Sequence, residues 1–236
     1  IADQNFATVD PTWLAADCDG DGVTNEEEVD PDGDGTPGPN GTDPADPCDY
    51  SEANQNIASV DAAWNALDCD GDGTPNGTDT EPLDPCVDNG TQGDEDLSNP
   101  IYANADCDGD GVTNGEETDP DGDGNPGPGG TDPNDPCDFT TVNQDLSTVS
   151  AGWLLLDCDG DGVTNGDEVD PDGDGTPGPN GTDPTDPCDY NEADQNLASV
   201  DANWNTLDCD GDGTPNGTDT EPLNPCVDNG ITGDEV

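Results

Sequence analysis

Apolar residues along this 236-residue chain are confined to short stretches between long acidic, glycine-rich loops. In one stretch Val60, Trp64 and Leu67 are spaced i, i+4 and i+7, which places them on one face of a short helix, and Ser59 or Asp61 is a suitable N-cap. The pattern predicts a helical turn whose tryptophan packs on the neighbouring loops. Equivalent sets are Val9, Trp13 and Ala16; Val149, Trp153 and Leu156; and Val200, Trp204 and Leu207.

The aromatic residues that follow the loops are candidate packing partners for these tryptophans: Tyr50, Phe139 and Tyr190. One linker differs, because it carries Ile101 and Tyr102 where the others carry tryptophan. Packing within the array is favoured because each tryptophan recurs at the same junction. The alternative is that exposed tryptophans bind sugar by stacking, or contact another subunit.

The loops form a tandem array anchored on the hexapeptide Asp-Cys-Asp-Gly-Asp-Gly, and residues 1–96 are closely echoed by residues 141–236. Long units occupy 17–50, 106–139 and 157–190, and short units occupy 68–90 and 208–230. The sequence is compatible with a window on a longer array or with one subunit of a polymer. With its linker, each unit gives one predicted domain: 1–50, 51–96, 97–139, 140–190 and 191–236.

Composition excludes a single large apolar core, since only 27% of residues are hydrophobic and the formal charge is -60, with no Lys, Arg or His. Nucleic acid and anionic membranes are excluded as partners, because both need basic residues. The longest apolar runs reach four residues, as in Trp153–Leu156, which rules out membrane insertion of this segment. Without His or Lys to activate a nucleophile, the chain is not expected to be an enzyme.

Ten cysteines argue against disorder, and each unit contains two of them. One pair per unit makes pairing within units the simplest arrangement, so five disulfides are expected. Oxidised cysteines indicate an extracellular or cell-surface location. The predicted pairs are Cys18 with Cys48, Cys69 with Cys86, Cys107 with Cys137, Cys158 with Cys188, and Cys209 with Cys226.

Oxygen donors in the first loop stand at positions 1, 3, 5, 9 and 12, with Gly at position 6 and a main-chain carbonyl available at position 7. This is the spacing of an EF-hand calcium loop, and hard oxygen ligands at this density select calcium over softer metals. The predicted ligands in the long units are Asp17, Asp19, Asp21, Val23, Asn25 and Glu28; Asp106, Asp108, Asp110, Val112, Asn114 and Glu117; and Asp157, Asp159, Asp161, Val163, Asn165 and Glu168. In the short units they are Asp68, Asp70, Asp72, Thr74, Asn76 and Asp79; and Asp208, Asp210, Asp212, Thr214, Asn216 and Asp219.

Long units contain a second loop that matches the short-unit loop if a Gly-Pro pair is inserted. Two loops in each long unit and one in each short unit predict about eight or more calcium ions. In the middle long unit Gly129 stands where asparagine would be the ligand. The second-loop ligands are Asp30, Asp32, Asp34, Thr36, Asn40 and Asp43; Asp119, Asp121, Asp123, Asn125 and Asp132; and Asp170, Asp172, Asp174, Thr176, Asn180 and Asp183.

The units resemble the thrombospondin type 3 repeat, especially its bacterial surface form, in the motif DGDGVTN followed by TDPxDPC. The resemblance covers about two-thirds of the chain. It implies an extracellular stalk with little regular secondary structure, wrapped around calcium. This sequence departs from the family pattern in placing a cysteine at loop position 2 and in the Gly-Pro insertion. The EF-hand likeness is limited to the loop, since Pro31 blocks a long exiting helix.

The sequence therefore predicts an irregular, elongated array of calcium loops with disulfides and short helical turns at the linkers. Its expected role is that of an extracellular fibre, stalk or filament subunit, and further copies of the chain, end to end or side by side, are candidate partners. Two alternatives stay open, namely an acidic calcium-storing or mineral-interacting protein and a surface adhesin module.

Overall fold

The computed structural model describes residues 9–31, 33, 41–87, 95–120, 129–170, 178 and 181–227. The chain divides into two compact bodies, Ile1–Ala105 and Asp106–Val236. Among the described residues there are no strands. The helices are short: α1 Pro11–Leu14, α2 Asn25–Val29, α3 Pro100–Ala103, α4 Asn114–Thr118 and α5 Asn165–Val169, with 3₁₀ turns at Trp64–Ala66, Trp153–Leu155 and Trp204–Thr206. None of the helices in the described ranges is long and apolar enough to cross a membrane.

Each repeat unit begins with an aspartate that folds the loop around its own side chain. Asp17 accepts hydrogen bonds from the amides of Gly20 and Gly22, at 2.7 and 3.0 Å. Both glycines have positive φ, 85° and 91°, which other residues rarely adopt. The sequence Asp-x-x-Gly-x-Gly therefore fixes a tight turn without help from any regular element.

Helix α2 closes the first loop and is set by its caps. Thr24 and Glu27 form a reciprocal capping box. The helix ends at Val29 because Asp30 leaves helical geometry, with φ -137° and ψ 67°, one residue before Pro31. The five-residue length confirms the expectation that no long helix exits the loop.

The linker after each of the first four units folds back onto the loop of that unit. In the first body, the amides of Asn56 and Asp61 donate to the carbonyls of Gly22 and Gly20, both at 2.9 Å. Gln55 Nε2 donates to the carbonyl of Asp21 at 2.7 Å. These bonds attach the linker to the main chain of the acidic loop, so the two are ordered together.

Three of the four linker tryptophans fill a small apolar cluster at such a junction. Trp64 is 1% exposed and meets the edge of Tyr50 at 5.9 Å between ring centroids. Its indole nitrogen donates to the carbonyl of Pro47 at 3.1 Å. In the second body Trp153 pairs with Phe139 and Trp204 pairs with Tyr190. The prediction of packing within the array is confirmed for Trp64, Trp153 and Trp204, whereas Trp13 is only half-buried. The described apolar residues form three separate clusters.

The predicted linker helices are shorter than their apolar spacing suggested. In the linker that contains Val60 and Leu67, only Trp64–Ala66 is helical, as a 3₁₀ turn. The side chain of Asp61, rather than that of Ser59, accepts the amides of Ala63 and Trp64. Leu67 is already extended, and its carbonyl accepts the amide of Asn76 at 2.7 Å. The next loop therefore takes over the main chain before a second helical turn can form.

The prediction that cysteines pair within units is wrong. Disulfides join the last cysteine of one unit to the first cysteine of the next: Cys48–Cys69, Cys137–Cys158 and Cys188–Cys209, each across 21 residues. Cys86 and Cys107 are also disulfide-bonded, whereas Cys18 and Cys226 are free and exposed. The reason is the folded-back linker, which brings the start of the next loop beside the Pro-Cys segment of the preceding unit.

Candidate metal centres

The first half of every unit brings three aspartate side chains to one point. In each triplet, one oxygen per carboxylate lies within 4.8 Å of the others. The predicted spacing at loop positions 1, 3 and 5 is therefore realised in all five units. The triplets are Asp17, Asp19 and Asp21; Asp68, Asp70 and Asp72; Asp106, Asp108 and Asp110; Asp157, Asp159 and Asp161; and Asp208, Asp210 and Asp212.

In these carboxylates the two oxygens have different roles. In the middle long unit Asp108 Oδ1 accepts the amide of Asp110, and Asp110 Oδ1 accepts the amide of Val112. The Oδ2 atom of each is buried and has no hydrogen-bond partner among the described residues. One oxygen therefore shapes the loop, while the other is directed into the centre without a protein donor.

The glutamate at loop position 12 completes this arrangement in the long units. Glu117 is 1% exposed, and its Oε1 accepts the hydroxyl of Thr131 at 3.0 Å. Its Oε2 is buried and has no partner in the described part of the chain. Glu28 with Thr42, and Glu168 with Thr182, repeat the contact. The threonine of the TDP motif thus orients the glutamate toward the aspartates.

Short units place aspartate at position 12, one methylene shorter than glutamate. Asp79 lies close enough to Asp70 and Asp72 for its charge to raise the pKa of both carboxyls. Asp219 acts in the same way on Asp210. The predicted fourth carboxylate is therefore near the triplet in the short units as well.

Position 7 faces the apolar side of the loop. Val23, Val112 and Val163 are each at most 2% exposed and belong to the three apolar clusters. Their side chains offer no metal ligand, so the main-chain carbonyl is the only predicted ligand at this position. In short units Thr74 and Thr214 take this place and are also buried.

The asparagine at position 9 has a role that the calcium-loop spacing did not predict. Asn76 Oδ1 accepts the amide of Cys69, and its Nδ2 lies 3.2 Å from Cys69 Sγ. Asn114, Asn165 and Asn216 make the same two contacts with their cysteines, and Asn25 donates to Cys18 Sγ and to the carbonyl of Trp13. The amide ties the end of the loop to the cysteine at position 2. The cysteine at position 2 is the feature of the sequence from which this contact could have been predicted.

A further carboxylate approaches each long-unit centre from the unit's final turn. The charge of Asp49 raises the pKa of Asp21, and Asp138 and Asp189 do the same for Asp110 and Asp161. Asp49 Oδ2 also accepts the amide of Asp43, at 3.1 Å. The second half of the unit is therefore folded toward the first loop and adds negative charge to it.

Burial and crowding raise the pKa of most of these carboxyls. Desolvation is the larger cause and neighbouring carboxylates add to it, so the pKa of Glu28 and of Glu117 rises to about 8. The pKa of Glu168 rises to about 9. Among the aspartates, the pKa rises to about 7 for Asp70, Asp110 and Asp159, and to about 6 for Asp21, Asp72, Asp108 and Asp161.

The donor set fits a hard divalent cation. The chain contains no Lys, Arg or His to neutralise the buried carboxylates, so only protons or bound cations can do so. Three aspartates, a fourth carboxylate and a main-chain carbonyl offer five groups with the oxygen ligands that calcium prefers, and water or a second carboxylate oxygen would complete its shell of six to eight. Magnesium demands a stricter octahedron and retains more of its waters.

Most of the second-loop ligands lie outside the described residues: Asp32, Asp34, Thr36 and Asn40; Asp121, Asp123 and Asn125; and Asp172, Asp174, Thr176 and Asn180. The described members are Asp30, Asp43, Asp119, Asp132, Asp170 and Asp183. Asp30, Asp119 and Asp170 directly follow the α-helix of their unit.

Comparison with known proteins does not assign the chain to a family. No family model, no curated protein and no solved structure matches it. The function must therefore be argued from the loops themselves.

Proposed function

We propose that this chain is an extracellular structural protein in which calcium ions stiffen a disulfide-linked array of repeat units, as part of a fibre, stalk or filament. One observation carries the proposal. Buried carboxylates converge at each of five loops, with oxygens that find no donor in the described part of the chain, and the sequence holds no basic residue. Such a protein needs cations in order to fold at neutral pH.

Calcium acts here as a folding ligand. When the carboxylates are ionised, their mutual repulsion opposes a compact loop, and a divalent cation at the centre converts that repulsion into attraction. Because the centre does not form in the unfolded chain, the free energy of calcium binding adds to the free energy of folding.

The junctions transmit this order along each body. The linker binds the loop through the carbonyls of Gly20, Asp21 and Gly22, which belong to the segment that carries Asp19 and Asp21. Fixing the aspartates around an ion therefore fixes the linker, its tryptophan and the next disulfide. A chain built in this way gains stiffness from each occupied loop, which is the property expected of a structural fibre.

The disulfides support an extracellular location. Bonds such as Cys137–Cys158 persist in oxidising compartments and are rare where thiols are kept reduced. Extracellular fluids also supply calcium at concentrations that suit sites of moderate affinity. The resemblance to the thrombospondin type 3 repeat leads to the same proposal.

Calcium titration of the oxidised, metal-free protein by calorimetry tests the proposal. We expect at least one saturable ion per described triplet, with the second loops of the long units raising the total to about eight. Circular dichroism and small-angle scattering in the same titration should show the chain becoming more compact as the ions bind.

The alternative of calcium storage or mineral contact predicts a different titration. Carboxylates that act as an exposed acidic surface would bind many ions weakly, without saturation and without a change in the scattering profile. That result would contradict a structural role for calcium.

A further inference from the structure

Most of the asparagines at loop position 9 are followed directly by glycine. The amide nitrogen of the next residue can attack an asparagine side chain, and glycine hinders this attack least, because it has no side chain and leaves the main chain free to move. In the first unit Asn25 precedes Glu26 instead. The asparagines that precede glycine are Asn76, Asn114, Asn165 and Asn216.

Close packing accounts for the glycine in both kinds of unit. In a short unit, a Cβ placed on Gly77 would lie 2.5 Å from Asn65 Oδ1. In a long unit, a Cβ on Gly166 would lie 2.8 Å from the carbonyl oxygen of Leu154. A larger residue would require the preceding linker to shift, so the fold favours the residue that also makes the asparagine reactive.

The folded loop binds both ends of the asparagine amide. Asn76 is 3% exposed, its Oδ1 accepts the amide of Cys69 at 3.1 Å, and its Nδ2 donates to Cys69 Sγ at 3.2 Å. Asn165 is 0% exposed and makes the same two contacts with Cys158. A side-chain amide that is held at both atoms cannot turn its carbon toward the following nitrogen.

The attacking nitrogen is restrained as well. The amide of Gly77 donates to the carbonyl of Asn65 at 3.1 Å, and Gly217 in the second short unit repeats this kind of bond. Such a bond stabilises the protonated amide, which must lose its proton before it attacks. In the long units Asn114 and Asn165 are the first residues of α4 and α5, whose helical main chain keeps the side-chain carbon away from the next nitrogen.

From these contacts we propose that the four asparagines that precede glycine are sites of spontaneous deamidation, which the folded loop suppresses and which loss of the bound cation releases. The release step rests on the proposed function, because there the ion keeps the acidic loop folded. The sites themselves follow from the sequence and from the contacts of the loop. Loss of calcium would then cause lasting chemical damage to a loop that could otherwise refold.

The reaction needs only water as a co-reactant. The deprotonated amide nitrogen of glycine bonds to asparagine Cγ, the Cγ–Nδ2 bond breaks, and ammonia leaves with the proton that the amide lost. Water then opens the cyclic succinimide, adding its hydroxyl to a ring carbon and its proton to the ring nitrogen. Cleavage of the bond from nitrogen to Cγ gives aspartate, and cleavage of the bond to the main-chain carbonyl carbon gives isoaspartate.

Neither product restores the contacts of the intact loop. Aspartate in place of Asn76 has no N–H to donate to Cys69 Sγ. Isoaspartate also lengthens the main chain by a methylene between loop positions 9 and 10. Deamidated chains should therefore refold less stably in calcium than intact chains.

Three parallel incubations of the full chain at mildly alkaline pH test the proposal: in calcium, in a chelator, and in guanidinium chloride with chelator and reductant. Mass spectrometry of peptic peptides measures the change from amide to carboxyl at each site. In denaturant we expect all four sites to react faster than Asn25. In calcium we expect them to react at least about tenfold more slowly than in denaturant, because the loop must open first. In chelator they should approach the denatured rate.

Glu26→Gly is the matched variant. It gives α2 the glycine that α4 and α5 already have as their second residue. Asn25 is 0% exposed and donates to Cys18 Sγ, so its side chain is also held in the folded loop. In this variant we expect Asn25 to deamidate in denaturant as fast as the other four sites, and to stay protected in calcium.

The outcomes separate this proposal from the proposed function. Equal rates in calcium and in denaturant at the four sites, or no faster reaction of Asn25 in Glu26→Gly, would overturn the deamidation sites, even where calorimetry finds saturable calcium binding. Fast reaction in denaturant with full protection in chelator would support the sites and their suppression by the fold. That same result would contradict the release step and the folding role of calcium.

Discussion

At the scale of single residues, the glutamate at loop position 12 shows how a site is prepared for a cation. Glu28 is 1% exposed, and one of its oxygens accepts a hydrogen bond from Thr42. Its other oxygen is buried near Asp19 and Asp21, where desolvation and their charges disfavour the ionised form of Glu28. A neutral chain would place an apolar residue at such a position. In the proposed function, a bound ion offsets this desolvation.

Glu28→Gln should remove one calcium ion from the titration. The amide retains the size of the side chain and a hydrogen bond to Thr42, but it supplies no negative charge and at most one ligand oxygen, so we expect the affinity of that loop to fall by more than about tenfold. Calorimetry of the two proteins side by side measures the change. Glu26→Gln, on the exposed face of the same helix, is the matched control and should leave the number of ions unchanged.

A substitution of the asparagine at position 9 can distinguish a structural role of this residue from a role as a metal ligand. Asn165 is 0% exposed, and it bonds the amide and sulfur of Cys158 and the carbonyl of Trp153. Asn165→Asp retains the oxygens but loses both N–H donors. We expect the free energy of unfolding in calcium to fall by about 1–3 kcal/mol, because a buried acceptor loses its donor, with the number of bound ions unchanged.

Denaturant unfolding and calorimetry together check this prediction. An Asn165→Asp protein that is fully stable, or that binds calcium more tightly, would show that the side chain is a ligand after all. The sequence predicted that the aspartates of this loop lie together, and the structure brings Asp157, Asp159 and Asp161 to one point, because alternation in a tight loop is a local property. It did not reveal the role of Asn165, since that depends on a cysteine which the EF-hand pattern lacks.

At the scale of elements, the linker tryptophan is the main apolar contribution to each junction. Trp153 is 1% exposed and contacts the edge of Phe139 at 5.6 Å. Trp153→Ala should lower the free energy of unfolding of its body by about 3–5 kcal/mol, the usual effect of deleting a buried aromatic side chain. Trp13→Ala is the matched comparison and should have a smaller effect in the monomer, because Trp13 is half-buried. Equal effects in denaturant titrations would contradict the junction as described.

The disulfide pattern shows what a single unit cannot reveal. Cysteine separations within units differ, 30 residues in long units and 17 in short ones, whereas the separation from each unit's last cysteine to the next unit's first is always 21. That constant spacing was the available signal for pairing between units. Its physical basis, the folded-back linker and the packing of Trp64 beside Pro47, involves contacts remote in sequence, which no local pattern encodes.

Peptide mapping of the oxidised protein checks the pairing directly. Digestion with pepsin without reduction should release peptides in which Cys137 is joined to Cys158 and Cys188 to Cys209. Replacing Cys137 and Cys158 by serine should lower stability by about 3 kcal/mol, the chain-entropy value for a loop of this size. Recovery of Cys158 joined to Cys188 would restore pairing within units and overturn the arrangement.

At the scale of the whole molecule, stability is divided among small, separate parts. The described apolar residues form three clusters of a few side chains each, and the formal charge of -60 opposes compaction everywhere. No cluster is large enough to hold the rest of the chain together. Bound cations and disulfides are therefore expected to supply a large part of the stability, as in other domains with small cores.

This arrangement makes the stability of the ion-free protein depend on pH, and bound calcium should remove that dependence. In the ion-free protein the folded-state pKa of Glu28 is about 8 and that of Glu168 about 9, above the usual 4.5, so between these limits the folded chain holds protons that the unfolded chain releases. The ion-free fold should therefore lose stability as pH rises from about 5 to 9. With saturating calcium the folded carboxylates are deprotonated, as they are in the unfolded chain above about pH 5, so stability should change little over the same range.

Thermal unfolding of resin-stripped protein at pH 5 and pH 8.5, with and without saturating calcium, measures both slopes. We expect the ion-free protein to be less stable at pH 8.5 than at pH 5 and the calcium-loaded protein to be nearly equally stable at both, so the gain from calcium is larger at the higher pH. The number of protons released on binding, from calorimetry in buffers of different ionisation enthalpy, should be larger at pH 6 than at pH 9, because fewer carboxyls are protonated at the higher pH. Parallel slopes with and without calcium would show that the buried carboxylates do not contact the ion.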